Sequence, residues 1–445
     1  MSSAVTLTNG HAEQAQKKIS TSNSMSTQDY VDLNKQYVAY THAPIPIVLT
    51  EGRGARVKDL HGEEYIDFLA AFSVVNQGHC HPRIIAAMRE QSEKLAICTS
   101  AFQNEWYPRL AKKMCDLLGF DRAAAMSSGS EAVELAMKIA RRWGYRVKGI
   151  APNQAKILTI SNNYHGKTLA PLSASSFKSF RNDFGPFVPG VGSDVCGFPI
   201  RYNHAEDIQK AFEEHGSDIC ALIIESIQGY AGCIPAEVGY LEAVRELCTK
   251  HNVLYVADEI QTGFGRTGYL MAYKAAGIQP DLLVVGKALT GGMYPMSLVL
   301  GKDTAMTQIH PGEHSSTFAA NPMGSAIAMT AVDVILEEKL PERSRRLGKV
   351  LLERLSALQS PAASIRATGR GLFCTLHIDP TESPARVTAE RVGTLARQRR
   401  LIVVNAENRI RINPPLVIEE NDLLKGIEIL KSALEDCLTI GELKI

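Results

Sequence analysis

Two reactive side chains stand at the ends of apolar runs. Leu254-Tyr255-Val256-Ala257 leads into Asp258, and Leu282-Leu283-Val284-Val285 leads through Gly286 into Lys287. Short runs rich in β-branched residues, bounded by glycine and polar residues, read as buried strands of a parallel sheet. Ligands of such sheets bind outside the carboxyl ends of the strands. One acid and one amine are therefore expected to reach the same crevice from different strands. The pair suits pyridoxal phosphate (PLP) chemistry, in which a lysine forms a Schiff base with the aldehyde and a carboxylate keeps the pyridine nitrogen protonated. Taken singly, each residue is an ordinary strand end, helix cap or surface charge. The surrounding elements decide.

Ser127-Ser128-Gly129-Ser130-Glu131-Ala132 opens a helix in which Ala132, Leu135, Ala136, Ile139, Ala140 and Trp143 share one apolar face. Ser128 and Glu131 fit a capping box. The free N–H groups at that end, with the nearby hydroxyls, suit a phosphate. Asn163-Tyr164-His165-Gly166-Lys167-Thr168 follows the apolar run from Lys156 to Ile160. It ends like a P-loop, but the first glycine of that motif falls on Ser161, which excludes a nucleotide site of that kind. An aromatic side chain at a strand end can instead stack on a flat ring.

These elements belong to a larger alternation. Ala55 to Phe68 reads as a hairpin turning at His61-Gly62. From about residue 83, helical stretches alternate with apolar runs at Lys156–Ile160, Ala221–Ile224, the two strands above and Met296–Leu300. That pattern predicts an α/β domain with a mostly parallel sheet. Beyond about residue 325 come helices over Ala326 to Leu340 and Glu420 to Cys437, with strands at Gly371–Leu376 and Leu401–Val404 between them. This part reads as a smaller α+β domain.

Composition excludes several classes of function. The formal net charge of +1 gives no reason to expect nucleic acid or an anionic membrane as partner. No apolar run approaches the roughly 18 residues that span a bilayer. Nine cysteines without a CxxC pair read as small buried hydrophobes in a reducing compartment. His79-Cys80-His81 has no further ligand cluster near it in the sequence, so no metal site is expected. The first 28 residues, polar and without an apolar core, read as a disordered tail, and a cytoplasmic location is expected.

The order of these motifs resembles class III aminotransferases of PLP fold type I, the aspartate aminotransferase-like architecture. A Ser/Gly-rich helix start comes first, then Tyr-His-Gly, then Asp-Glu-Ile-Gln-Thr-Gly, then Gly-Lys-Ala-Leu. The resemblance covers about residues 35 to 440. Within the family it is nearest to the ornithine aminotransferases, through Asn76-Gln77-Gly78-His79-Cys80-His81-Pro82, Arg142-Trp143-Gly144-Tyr145, Phe184-Gly185-Pro186-Phe187, Pro311-Gly312-Glu313-His314 and Asn413-Pro414-Pro415-Leu416. It implies a segment over 29–82 packing with the small domain, a large PLP-binding domain over 83–324 and a small domain over 325–445. It implies Lys287 as the Schiff-base lysine and proton carrier, and Asp258 as partner of the pyridine nitrogen. Gln261 would lie near the phenolic oxygen. Ser128, Gly129 and Ser130 would hold the phosphate, and Tyr164 would stack on the ring. Ser316 and Thr317 would reach the phosphate of a neighbouring subunit, so a homodimer with shared active sites follows. Arg411 matches the carboxylate-binding arginine, whose guanidinium fork suits an amino acid or keto acid.

The substrate shell departs from the ornithine aminotransferase pattern. Tyr230 stands in Gln228-Gly229-Tyr230-Ala231-Gly232 where that pattern has a glutamate masking the arginine. Phe72 replaces a tyrosine, Gln103 replaces a tyrosine, and Lys167 replaces an arginine. These four changes predict an aminotransferase that moves an amino group between an amino acid or ω-amine other than ornithine and a keto acid. Two other outcomes remain open on the same residues: a PLP-dependent racemase, epimerase or decarboxylase, and a paralogue without activity. Retention of both Lys287 and Asp258 argues against the last.

Overall fold

The computed structural model describes residues 25–440. The expected tail lies outside the described residues up to position 24. Its last two residues belong to helix α1 (Thr27–Tyr37), which Ser26 caps in a reciprocal box with Asp29.

The described chain forms two compact units. One comprises residues 25–51 and 57–65, and the other residues 52–56 and 66–440. In the first, the expected turn is present: Gly62 N–H donates to Asp59 O at 3.0 Å, and Asp59 Oδ1 accepts from the His61 and Glu63 amides.

The second unit is built on a seven-stranded sheet. Its strands are β1 (Arg122–Met126), β2 (Lys156–Thr159), β3 (Val191–Gly192), β4 (Ile219–Glu225), β5 (Leu254–Asp258), β6 (Leu282–Val285) and β7 (Ser297–Gly301). Their order across the sheet is β1-β7-β6-β5-β4-β2-β3. Only β7 runs antiparallel to its neighbours, so the sheet is mostly parallel, as expected. Every residue of β4, β5, β6 and β7 is buried. Strands covered on both faces read as continuous apolar runs, which is why these four were visible in the sequence.

Helix α2 (Gly129–Trp143) packs one face on the sheet through Ala132, Leu135, Ala136, Ile139, Ala140 and Trp143, all buried. Burial of Leu135 or Ile139 contributes roughly 1.5–3 kcal/mol each. The expected helix from Ala326 to Leu340 is two helices. Helix α3 (Pro322–Glu337) starts earlier, on an Asn321 cap with proline at its first position. Lys339, at φ +51°, then turns the chain into α4 (Leu340–Ser356). A second sheet holds β8 (Ala363–Arg370), β9 (Phe373–Pro380), β10 (Val404–Ala406) and β11 (Arg409–Ile412), all antiparallel in the order β8-β9-β11-β10. The last helix, α5, spans Glu420–Asp436.

Seven of the nine free cysteines are buried, while Cys98 is half-buried and Cys80 is exposed. His79 bonds Asp67 at 2.7 Å and His81 bonds Glu338 at 3.0 Å. No cluster able to hold a metal occurs among the described residues, and no helix among them is long and apolar enough to cross a membrane.

Candidate active site

The parallel register decides where the acid sits. Asp258, the last residue of β5, lies opposite Val284 of β6 and Glu225 of β4. Lys287 comes two residues after β6 ends, so both functional groups emerge at carboxyl ends of adjacent strands. Lys287 has φ +45°, in the left-handed region that costs a non-glycine residue roughly 1–2 kcal/mol. Strain of this kind persists where the surroundings impose it, and it gathers at functional positions.

A cavity of about 230 Å³ is lined by Ser128, Gly129, Ser130, Tyr164, His165, Gly166, Glu225, Asp258, Ile260, Gln261, Thr262 and Lys287. At one end is the start of α2. The Ser128 hydroxyl accepts from the Glu131 amide, and Glu131 Oε2 accepts from the Ser127 and Ser128 amides at 2.8 and 2.9 Å. That leaves the first helical N–H groups, of Gly129 and Ser130, without an internal helical acceptor. Two glycines keep this end open. A Cβ on Gly166 would sit 2.3 Å from Ser130 Oγ, and one on Gly129 would press Ile260 at 3.0 Å.

At the other end Asp258 is held from two sides. Its Oδ1 accepts from the Ile260 amide at 3.1 Å, and its Oδ2 takes His165 Nδ1 at 2.7 Å. With a carboxylate as partner, Nδ1–H is the donor. His165 Nε2 is buried with no partner among the described residues. Burial pulls the His165 value down, but the hydrogen bond and charge of Asp258 outweigh it and the net shift is upward. Burial pushes Glu225 up to about 7, with the nearby His165 opposing and Asp258 adding to the rise. Its two oxygens accept from the Tyr164 and Gly229 amides, both at 2.9 Å. Burial lowers the Lys287 amine to about 8, with the Asp258 charge opposing the shift and the Arg411 charge adding to it.

Tyr164, Gln261 and Gly129–Ser130 are thus gathered around Lys287 and Asp258 as expected. Gln261 Nε2 donates to Phe72 O at 3.3 Å, and Gln261 Oε1 lies 3.4 Å from Arg411 Nη2. Phe72 sits in a run of four residues, Ala70 to Ser73, that all have positive φ. Arg411, on β11, is buried, has an unpartnered Nε and forms no ion pair among the described residues. Tyr230 lies on the loop of a small hairpin (Ile227–Gln228 with Ile234–Pro235), with its ring stacked on that of Tyr164. Ser316 Oγ meets Ser127 Oγ at 3.1 Å within the same chain, and Thr317 is exposed. Lys167 is exposed, with its ammonium 4.5 Å from the centre of the Phe180 ring. Gln103 is exposed ahead of the helix Tyr107–Leu118 and does not line the cavity within one protomer.

Two members of the site carried no role in the sequence reading. Glu225 ends the buried strand β4 and so meets the same strand-end criterion that singled out Asp258. His165 was visible in Tyr-His-Gly, but its contact with Asp258 spans 93 positions.

The model of the class III aminotransferases matches residues 37–434. This chain belongs to that family. It is 41% identical to an ornithine aminotransferase of Emericella nidulans over 413 residues, which cover 92% of this chain and 91% of that one. A mitochondrial ornithine aminotransferase of Arabidopsis thaliana is also 41% identical, with 92% and 86% covered. Among solved structures, the ornithine aminotransferase of Toxoplasma gondii superposes with a TM-score of 0.87 at 35% identity, covering 98% of this chain and 99% of that one. The acetylornithine aminotransferase of Elizabethkingia anophelis gives 0.82 at 38%, with 93% and 100% covered. The fold is therefore PLP fold type I, and the chain is a PLP-dependent transaminase of the ornithine aminotransferase-like group. Of the reactions left open by the sequence, the family and its relatives favour transamination.

The cavity fits the cofactor of the family. The uncapped N–H groups of Gly129 and Ser130 suit a phosphate, the glycine-lined end leaves it room, and the Asp258 carboxylate is oriented by two donors. The Lys287 value also sets a pH dependence. Only the neutral amine attacks an aldehyde, and with a value near 8 it is neutral above that pH. Capture of PLP by the apoprotein is expected to speed up about fifty-fold between pH 6 and pH 8 and then level off. Stopped-flow recording of cofactor absorbance against pH checks this. A profile that keeps rising to pH 10 would mean that the site does not depress the amine.

Proposed function

We propose that this chain is an aminotransferase whose preferred donor is an amino acid other than ornithine. The observation that carries the reading is Arg411, buried and without an acid partner, with the neutral Tyr230 where the ornithine aminotransferase pattern places a masking glutamate. A tyrosine is uncharged near pH 7, and burial raises the Tyr230 value further. Arg411 then stays free to take the α-carboxylate of donor and acceptor in a bidentate fork.

In this reading PLP, when bound, supplies the aldehyde and the electron-withdrawing ring. The Gly129 and Ser130 amides and the Ser128 and Ser130 hydroxyls hold its phosphate, with Ser316 and Thr317 of a second copy completing the cup. Tyr164 covers one ring face, and Gln261 lies by the phenolic oxygen. Asp258 holds the proton on the ring nitrogen, with His165 and the Ile260 amide fixing its orientation. Lys287 would take the proton from the substrate carbon and deliver it to the C4′ carbon of the cofactor on the same face; tethered in place, it acts as an intramolecular base and acid. A homodimer with shared active sites is part of this reading. A cytoplasmic location completes the proposal.

Steady-state assays of ornithine with 2-oxoglutarate test it. The kcat/KM for ornithine is expected to lie at least roughly tenfold below that for the best α-amino donor in a panel, the scale on which one pocket contact discriminates. Ornithine as the fastest donor overturns the reading.

A further inference from the structure

Four aromatic rings meet beside the cofactor cavity. Tyr164 lines the cavity and stacks on Tyr230, with ring centres 5.7 Å apart and planes 19° from parallel. Phe177 and Phe180 approach Tyr230 edge-to-face at 4.8 and 4.9 Å. Phe180 also meets Tyr164 at 6.1 Å and Phe177 at 5.5 Å. None of the four belongs to the buried hydrophobic clusters, and all are half-buried, so each keeps open surface. They form a continuous aromatic wall that meets the cofactor cavity at Tyr164.

The wall is fixed from behind. The loop that carries Tyr230 is pinned by the Gly229 amide on Glu225 and by Arg409 Nη1 on Ala231 O at 2.7 Å. Arg181 Nη1, one residue beyond Phe180, donates to Ser175 O at 3.1 Å. Charge is divided along the wall: the Lys167 ammonium lies 4.5 Å from the centre of the Phe180 ring, while Tyr230 faces the Arg411 guanidinium and the ion-paired Arg409 and Glu407. One face of Tyr230 is covered by Tyr164, and the Phe180 ring already carries a cation. A distal ammonium on the donor would meet a like charge there. An uncharged apolar side chain would meet matching surface.

The geometry points to an α-amino acid with a bulky apolar side chain, aromatic or branched aliphatic, as the donor class, with Tyr230, Phe177 and Phe180 as the residues that select it. This deepens the reading given under Proposed function and rests on it. Tyr230 then acts twice: it leaves Arg411 open to the α-carboxylate, and it supplies the centre of the wall.

The test uses the purified holoenzyme and single-turnover loss of cofactor absorbance with L-phenylalanine, L-leucine, L-alanine, L-glutamate and L-ornithine as sole donors. Phenylalanine or leucine is expected to react at least tenfold faster than alanine, glutamate and ornithine. Phe180→Ala and Phe177→Ala should each lower the ratio of bulky to small donor about tenfold. Tyr230→Phe should retain that ratio. Tyr230→Glu should invert the preference of phenylalanine over ornithine. The unreacted absorbance of each variant reports that its cofactor site has formed. Alanine or glutamate as best donor, with ornithine poor, overturns the wall and leaves the non-ornithine reading standing. Ornithine as best donor overturns both. Unchanged donor ratios in the phenylalanine-to-alanine variants also overturn the wall.

Discussion

Lys287→Ala is expected to abolish transamination, lowering kcat by at least roughly 10⁴-fold. Proton transfer by a positioned side chain contributes on the order of 10²–10⁴ by itself. Tethering that base beside the reacting carbon adds an effective molarity that no buffer amine reproduces. The geometry is specific to this residue: it follows β6 by two positions, lines the cavity with Asp258, and is held at φ +45°. Borohydride treatment followed by peptide mapping should find cofactor covalently attached to wild type at residue 287 and to no residue of the variant. Loss of folding can be told apart from loss of chemistry. The amine falls from its ordinary 10.5 to about 8 in the native state, so the unfolded chain binds that proton more tightly. The native state carries this penalty in full below about pH 8, and it fades as pH rises towards 10.5. Alanine removes the penalty, so the variant apoprotein should melt at pH 7 no lower than the wild-type apoprotein. Turnover by Lys287→Ala within a hundredfold of wild type would remove Lys287 from the mechanism.

The parts of the fold that were legible in the sequence are those whose signal is local. β4, β5 and β6 are buried on both faces, so each shows as an apolar run, and the Ser128–Glu131 box announces the start of α2. β1 was not visible. Its Arg-Ala-Ala-Ala-Met favours a helix by intrinsic preference. The strand exists because Ala123, Ala124 and Ala125 pair with Leu300, Val299 and Leu298 of β7. The start of α3 is set by the Asn321 cap and Pro322, which lie ahead of the apolar face that marks the helix in the sequence. At the site, the same distinction holds. Asp258 and Lys287 were readable because a strand end fixes where a side chain emerges. The aromatic wall was not, because Tyr164 and Tyr230 on loops meet Phe180 on a four-residue helix, an approach no periodicity records.

Asp258→Asn separates the two tasks assigned to the buried acid. The side chain keeps its shape, and Oδ1 can still accept from the Ile260 amide. The charge that orders His165 and protonates the ring nitrogen is gone. Loss of one preorganised electrostatic contact to a reacting group typically costs about 2.7–4 kcal/mol of transition-state stabilisation. Since the acid works in the reacting state, kcat should fall by roughly 10²- to 10³-fold. The second effect has the opposite sign. In the wild type the Asp258 charge holds the Lys287 amine up against burial. With asparagine, burial acts unopposed by that charge, and the amine becomes neutral at lower pH. PLP capture by the variant apoprotein at pH 6.5 should therefore be faster than by wild type, and its pH profile should shift to the acid side. His165 should change in the same direction, because Asp258 is what lifts its value against burial. An NMR titration of the His165 ring should find it losing its proton at lower pH than in the wild type. A merely structural role for Asp258 predicts slower capture together with slower turnover. Faster capture with slower turnover is the signature of an acid that serves the ring nitrogen and the lysine at once.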